Sequence, residues 1–416
     1  MAEYTVRNGI MVGLNSTRRG SFGVKDGKLI NADTLPAAPS INLQGVSYVY
    51  PALINTHDHL RGNYLPRVGP NYSKYYLNWL PWDNDLKASR CYAERTKALD
   101  IDKGYLLSAY KTLFSGVVTV NDHFPHKLNG DILPTLPIRA IQNYAIAHEC
   151  SSYDLKWGGD INEEHTIACT NNWPFITHLA EGFDDESMNA IPMLEERGVL
   201  DNHCLFVHCI GLSDEDIQKC AAAGVSLSWC GASNMFMFNT TCKIKKFIDA
   251  GLNVTIGTDS SHTGAINLLE EIKYDRELYR AMYGEDLNPS MIFRMVTANA
   301  AKALWMETQT GRLDAGKNAD ILILRAKHEN AYENLVTASS TDIEFLSIEG
   351  RPLWGEERFL SLLDGKLPDN FTRLTVGGRK MFVIGDPLAL YQHIRRATNF
   401  KKVLDFLPFE PDDQDC

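Results

Sequence analysis

The chain has 416 residues, more than one ordinary domain needs, so a large domain with a smaller one beside it is expected. Hydrophobic residues make up 44% and charged residues 22%, enough for a sizeable core. A formal net charge of −11 argues against nucleic-acid or anionic-membrane partners, which need a basic surface, and leaves a small-molecule partner.

Residues 1–50 carry turn-punctuated segments such as VKDGKLI and NLQGVSYVY, which predict short antiparallel strands. PALINTHDH (51–59), GVVTVNDH (116–123) and IRAIQNYAIAH (138–148) read as the first three strands of a parallel unit, with one helix over 93–116. Residues 149–173 must supply a helix, a fourth strand and another helix; Tyr153–Trp157 is the expected strand, and one outer helix is expected to be missing. PFITHLAE (174–181), HCLFVHCIGL (203–212), VSLSWC (225–230) and NVTIGTDS (253–260) are further strands. Helices are predicted over 185–198, 213–224, 242–251 and 266–284, the second opening with Ser213 and an acidic residue three places on.

All-apolar strands alternating with helices at about 25–30 residues per unit predict an α/β fold, a (β/α)8 TIM-like barrel. Residues 311–355 return to short strands, so a small β-sandwich built from both chain ends is expected. The expected division is 1–53 with 310–416, the latter ending in a helical segment over 386–407, and 54–309 as the barrel. That last helix is expected to cap the sandwich or to make an oligomer contact, and a homodimer or higher homo-oligomer is expected. The nine cysteines include no C-x-x-C pair, which suits reduced thiols in a cytoplasmic protein. The N-terminus lacks the pattern of a signal peptide, and no apolar stretch is long enough to span a membrane.

His57 and His59 stand two apart on a strand and so share a face, which in a barrel is the interior near the catalytic end. Two imidazoles converging there form half of a metal site. His178, His208 and Asp259 end later strands at the same register. An ionisable group at such a place is costly unless paired or metal-bound. Glu181 follows His178 by three and sits on the rim, where a shielded carboxyl suits general acid–base work; a helix-start charge in EGFDDES is the plainer reading. Substrate contacts are expected from Arg61, Arg67 and Trp82 in the long 60–92 loop, from His123 and His148 at strand ends, and from Ser233 and Asn234. That loop also holds Tyr64, Tyr72, Tyr75, Tyr76 and Trp79, most of which are expected to pack the loop on itself.

PALINTHDHL, THLAE, FVHCIGLS, IGTDS and TANAAKALWMETQTGRLDAGKNADILIL, in that order, resemble the motifs of the amidohydrolase superfamily. The set is most similar to the branch holding cytosine, guanine and S-adenosylhomocysteine deaminases and triazine hydrolases. The resemblance implies that His57, His59, His178 and Asp259 hold one divalent ion, Zn2+ or alternatively Fe2+. It implies that His208 contacts activated water or the developing oxyanion, and that Glu181 shuttles a proton to the substrate nitrogen. Asp259 or His208 would take the proton of the water. Binuclear members use a bridging lysine at the fourth strand; Lys156 is poorly placed for it, so one metal is expected. Departures such as Ala52, Val118 and Gly231 for the usual residues fall near the pocket and bear on the substrate. The implied activity is hydrolytic deamination of an amino-substituted N-heterocycle or amidine. The alternatives are amide, guanidine or carbon–halogen hydrolysis, or a non-catalytic scaffold that would normally have lost ligands. The H-x-E with P-C-x-x-C signature of the other zinc deaminase fold is absent.

Overall fold

The structure, a computed structural model, describes residues 3–70, 74–155, 157–363, 365, 367–398 and 401–413. Tyr72, Lys156 and residues 414–416 lie outside them, and with them the expectations placed on Tyr72 and Lys156.

Eight parallel strands form the middle of the chain. β1 (Leu53–Asp58), β2 (Val117–Asp122) and β3 (Arg139–Ala140) pair in that order. β4 (Ala145–Glu149), β5 (Phe175–Leu179), β6 (Cys204–His208), β7 (Ser226–Trp229) and β8 (Asn253–Ile256) form a second parallel sheet in chain order. Nearly every residue of these strands is buried, as expected where helices cover the outside and side chains fill the inside. The two sheets meet where β8 lies against β1. There the Asp259 N–H donates to the His57 carbonyl at 3.1 Å, and the hydroxyls of Thr56 and Thr255 lie 2.8 Å apart.

The segment expected as one third strand is two. Exposed Gln142 and Asn143 interrupt the apolar run, so Arg139–Ala140 stays with β2 while Ala145–Glu149 pairs with β5. The expected strand at Tyr153–Trp157 does not form; its described residues are turn and loop, leading into one helix, Ile161–Asn171, capped by Asp160. Two helices also divide. The 93–116 helix is Arg90–Ala98 and Ile101–Leu113, because Asp100 caps the second by accepting from the Lys103 N–H at 2.9 Å. The 185–198 helix is Asp185–Met188 and Ala190–Arg197, because Pro192 can sit in a first turn but not in a helix interior. The capping box at Ser213 and Asp216 forms as read.

Both chain ends build one ten-stranded sheet, not two separate layers of hydrogen-bonded strands. It joins the ends where Ser47–Pro51 runs antiparallel to Ile321–Arg325. Its own apolar cluster includes Val6, Phe22 and Val49 from the N-terminal part and Ile323, Phe345 and Phe382 from the C-terminal part. The last helix, Pro387–Thr398, packs on Arg90–Ala98 and Ile101–Leu113 beside the parallel strands, not over the terminal sheet. Phe409 beyond it reaches Phe114, with ring centroids 5.9 Å apart. No helix among the described residues is long and apolar enough to cross a membrane.

A buried ion pair fixes the end of β1. Asp58, between the two histidines, accepts from Lys111 Nζ at 2.9 Å and from Asn63 Nδ2 at 2.9 Å, and Lys111 also donates to Asn63 Oδ1 at 2.7 Å. Lys111 is 1% exposed and Asp58 is fully buried. Removing one partner strands the other charge, which typically costs about 3–5 kcal/mol. Lys111→Met is therefore expected to lower the urea unfolding midpoint by a corresponding amount, and an unchanged midpoint would refute this account.

Candidate active site

The strand ends bring the histidines together. His57 and His59 leave β1 with ring centroids 5.0 Å apart. The His178 ring on β5 lies 5.1 Å from His57 and 5.3 Å from His59. Just beyond β8, Asp259 places Oδ1 3.7 Å from His59 Nε2 and 3.9 Å from His57 Nε2. His208, the last residue of β6, stands 5.6 Å from His57 and 5.4 Å from His178, ring to ring. Donor atoms of His57, His59 and Asp259 lie within 4.8 Å of one another, as do those of His57, His178 and His208.

Local backbone conformations aim these groups. Ala180, His208, Cys209 and Asp259 all have positive φ, between 51° and 69°, which non-glycine residues adopt only when their surroundings impose it. Gly257 makes the close approach possible, since a Cβ there would stand 2.7 Å from His57 Cβ and 2.6 Å from Ser228 Oγ.

A divalent ion fits this donor set. His57 is fully buried, yet neither of its ring nitrogens has a hydrogen-bond partner in the protein. Burial, and then the neighbouring His59, push its pKa well below the usual value, so the imidazole is neutral and its lone pair is free. An unpartnered buried imidazole is costly, and coordination removes the cost. Imidazoles with one carboxylate suit Zn2+ and similar borderline ions.

Neighbours orient the donors. The His178 ring donates from Nδ1 to the His148 carbonyl at 2.8 Å, leaving Nε2 toward the cluster. His208 Nδ1 donates to Asn234 Oδ1 at 2.8 Å. Asp259 Oδ2 accepts from Ser233 Oγ at 2.7 Å and Thr263 Oγ1 at 2.8 Å, and Oδ1 accepts from the Ser260 N–H at 2.7 Å.

Glu181 is buried, with Oε1 3.6 Å from His208 Nε2. Burial, then the charges of Asp259 and Glu149, push its carboxyl well above the usual range. Burial would push Asp259 up too, but His59, His57 and His208 outweigh it and hold Asp259 well below the usual range. Two adjacent carboxyls whose proton affinities are driven apart can play donor and acceptor.

His59, His178, Glu181, His208 and Asp259 floor a cavity of about 200 Å3, with His57 buried outside its lining. Trp79, Trp82, Tyr92, Phe124 and Trp157 supply aromatic wall, and Arg61, Asp83, Lys87 and Arg95 supply charge. Of the substrate contacts expected from sequence, Arg61, Trp82 and His148 line it. Arg67 does not; it donates to the Gly264 carbonyl at 3.0 Å and lies over the Phe236 ring, holding the loop in place. Ser233 and Asn234 face Asp259 and His208 instead of the cavity. His123 lies outside the cavity lining, its ring 4.0 Å from His178 and both its nitrogens unpartnered. Sequence reasoning missed Asp83, Lys87, Tyr92, Arg95 and His262. Only His262 had a readable signal, three residues after Asp259.

Residues 159–351 match the amidohydrolase family. The chain is 29% identical over 52% of each chain to a 5-methylthioadenosine/S-adenosylhomocysteine deaminase of Caldicellulosiruptor saccharolyticus, and its matches to the first curated relatives span about half their length. It is 25% identical to a 5'-deoxyadenosine deaminase of Methanosarcina acetivorans, over 88% of this chain and 96% of that one. The fold is shared with the crystal structure of a zinc-bound adenosine deaminase from Xanthomonas campestris. That likeness has a TM-score of 0.69 at 17% identity, covering 96% of this chain and 98% of that chain.

The bonds to Asp259 give a test of this site. Losing a partner that orients a ligand typically weakens metal affinity about 10–100-fold. Ser233→Ala is expected to do so, read by competition with a chelator; unchanged affinity would leave Ser233 without a positioning role.

Proposed function

We propose that this protein is a divalent-metal-dependent hydrolytic deaminase of an adenosine-type nucleoside or a related amino-substituted N-heterocycle. The observation that carries the reading is the convergence of His59, His178, Asp259, Glu181 and His208 on one cavity floor, with His57 buried against them. In this reading the eight parallel strands are one (β/α)8 barrel over residues 54–309, and residues 1–53 and 310–416 form the second domain. His57, His59, His178 and Asp259 hold a single ion, with Zn2+ the best fit to the donors. Relatives whose names are deaminases favour loss of ammonia over cleavage of an amide or a carbon–halogen bond.

When bound, such an ion supplies Lewis-acid activation of water near neutral pH. The protein's own groups do the rest. The aromatic walls take the flat heterocycle and keep bulk water out. Glu181, protonated by its surroundings, delivers a proton from its carboxyl to a ring nitrogen, which makes the amino-bearing carbon electrophilic. Asp259, ionised beside the histidines, takes a proton from the attacking water at a carboxylate oxygen. The His208 Nε2 face, turned by Asn234, stabilises charge developing on the new oxygen. Asp259 passes its proton to the departing amino group, and Glu181 recovers one from the new hydroxyl as the carbonyl forms and ammonia leaves.

Ammonia release from Zn2+-loaded protein with adenosine, 5'-deoxyadenosine, 5-methylthioadenosine, S-adenosylhomocysteine and guanine tests the reading. Release from none of them would overturn the substrate class. Glu181→Gln is expected to lower kcat about 10²–10⁴-fold with the centre's metal retained. His178→Asn is expected to lose the centre's ion as well as activity. A glutamine variant with normal kcat would move the proton shuttle to another group.

A further inference from the structure

A second donor cluster lies at the other end of the strands. His165 and Cys169 stand four apart on the Ile161–Asn171 helix, so they share a face. Asp201 lies in the turn that leads into β6, and Cys204 opens that strand. The nitrogen, sulfur and oxygen donors of His165, Cys169 and Asp201 all lie within 4.8 Å of one another. The active-site histidines sit at the C-terminal ends of the same strands, so the two clusters are separate.

The spacing decides between an ordinary ion pair and a metal cradle. His165 Nε2 is 3.1 Å from Asp201 Oδ2. Cys169 Sγ is 3.7 Å from His165 Nε2 and 3.8 Å from Asp201 Oδ2. Tetrahedral Zn2+ with bonds of about 2.0–2.3 Å puts its ligand atoms roughly 3.3–3.6 Å apart, so the three edges are near coordination values. Cys204 Sγ stands apart from this trio, donating to the Val199 carbonyl at 3.2 Å, so solvent would complete the coordination. The supports are in place: Asp201 Oδ1 accepts from the His203 N–H at 2.9 Å, and the His165 ring packs edge-on against Phe175 with centroids 5.6 Å apart.

We propose that His165, Cys169 and Asp201 form a second, structural metal site for a Zn2+-class ion, distinct from the catalytic centre. The ion displaces the Cys169 thiol proton to solvent and binds the thiolate. Loss of that proton and binding of the ion are coupled, so the sulfur is ligated only when the metal is present. The site ties the Ile161–Asn171 helix to the turn before β6, at the end of the strands where stability rather than chemistry is set.

Sulfur separates this site from the catalytic one, whose donors are imidazole and carboxylate. The full-length protein, kept reduced and loaded with Co2+, is expected to show a thiolate-to-cobalt charge-transfer band in the near ultraviolet. Cys169→Ser is expected to lose that band and one bound ion per chain while keeping catalytic activity, and His165→Asn is expected to weaken the band. A second readout needs no variant: Zn2+ is expected to slow alkylation of Cys169 at least tenfold, mapped by peptide mass, and a chelator to restore it. Absence of the band in the wild-type protein, a band that survives Cys169→Ser, or an alkylation rate indifferent to Zn2+ would overturn the proposal. Loss of deaminase activity with the band intact would count against the catalytic reading alone.

Discussion

Several imidazoles and two carboxyls buried at one end of a parallel sheet impose the constraint that the rest of this structure serves. Such groups lose water on folding and must recover partners. His178 and His208 each recover one through Nδ1, to a carbonyl and to an amide oxygen. His57 recovers none from the protein. A divalent ion would resolve that deficit and link histidines from separate strands. The neighbouring pair of Asp58 and Lys111 has the same logic with a different solution, since there the protein supplies the cation itself.

Precision at this end comes from backbone placement more than from side-chain reach. Positive φ at Ala180, His208 and Asp259 turns the chain sharply as it leaves β5, β6 and β8. Each turn costs conformational energy that the surrounding hydrogen bonds must offset. Those bonds are the ones seen: the Cys209 N–H to the Leu179 carbonyl, the Asp259 N–H to the His57 carbonyl, and three donors on the Asp259 carboxylate. Ser233 and Asn234, expected from sequence to touch substrate, stand behind the donors instead.

The parallel strands and the cluster of donors were legible because both rest on short-range rules. Apolar runs mark buried strands, and ionisable residues at their ends are costly without a reason. What was not legible rests on contacts between distant segments. The single polar pair Gln142–Asn143 divides one apolar run into β3 and β4, and no periodicity announces it. The break at Asp100 needs a cap that a helical pattern conceals. Pro387–Thr398 has an amphipathic face, but its partner lies some 290 residues earlier, in helices Arg90–Ala98 and Ile101–Leu113.

The same division separates chemistry from specificity. Donors and proton-carrying groups come from strand ends, where position in the fold dictates residue type. The cavity walls come mostly from segments between strands: Trp79, Trp82, Tyr92 and Arg95 between β1 and β2, Phe124 between β2 and β3, and Leu155 and Trp157 between β4 and β5. These segments lie outside the parallel strands, the first on the helices Trp79–Ala88 and Arg90–Ala98, so their sequences can change without disturbing the strands. Their side chains are nevertheless tied down. Trp82 Nε1 donates to the Val68 carbonyl at 2.9 Å, Trp79 Nε1 donates to Glu149, and Arg95 lies over the Tyr92 ring. A wall held by such bonds is shaped before any ligand enters, so what the cavity admits depends on the fixed spacing of aromatic faces and of the charges on Arg61, Asp83, Lys87 and Arg95. Substrate preference can thus diverge between relatives that share the floor of the site, because floor and walls are built by different parts of the chain.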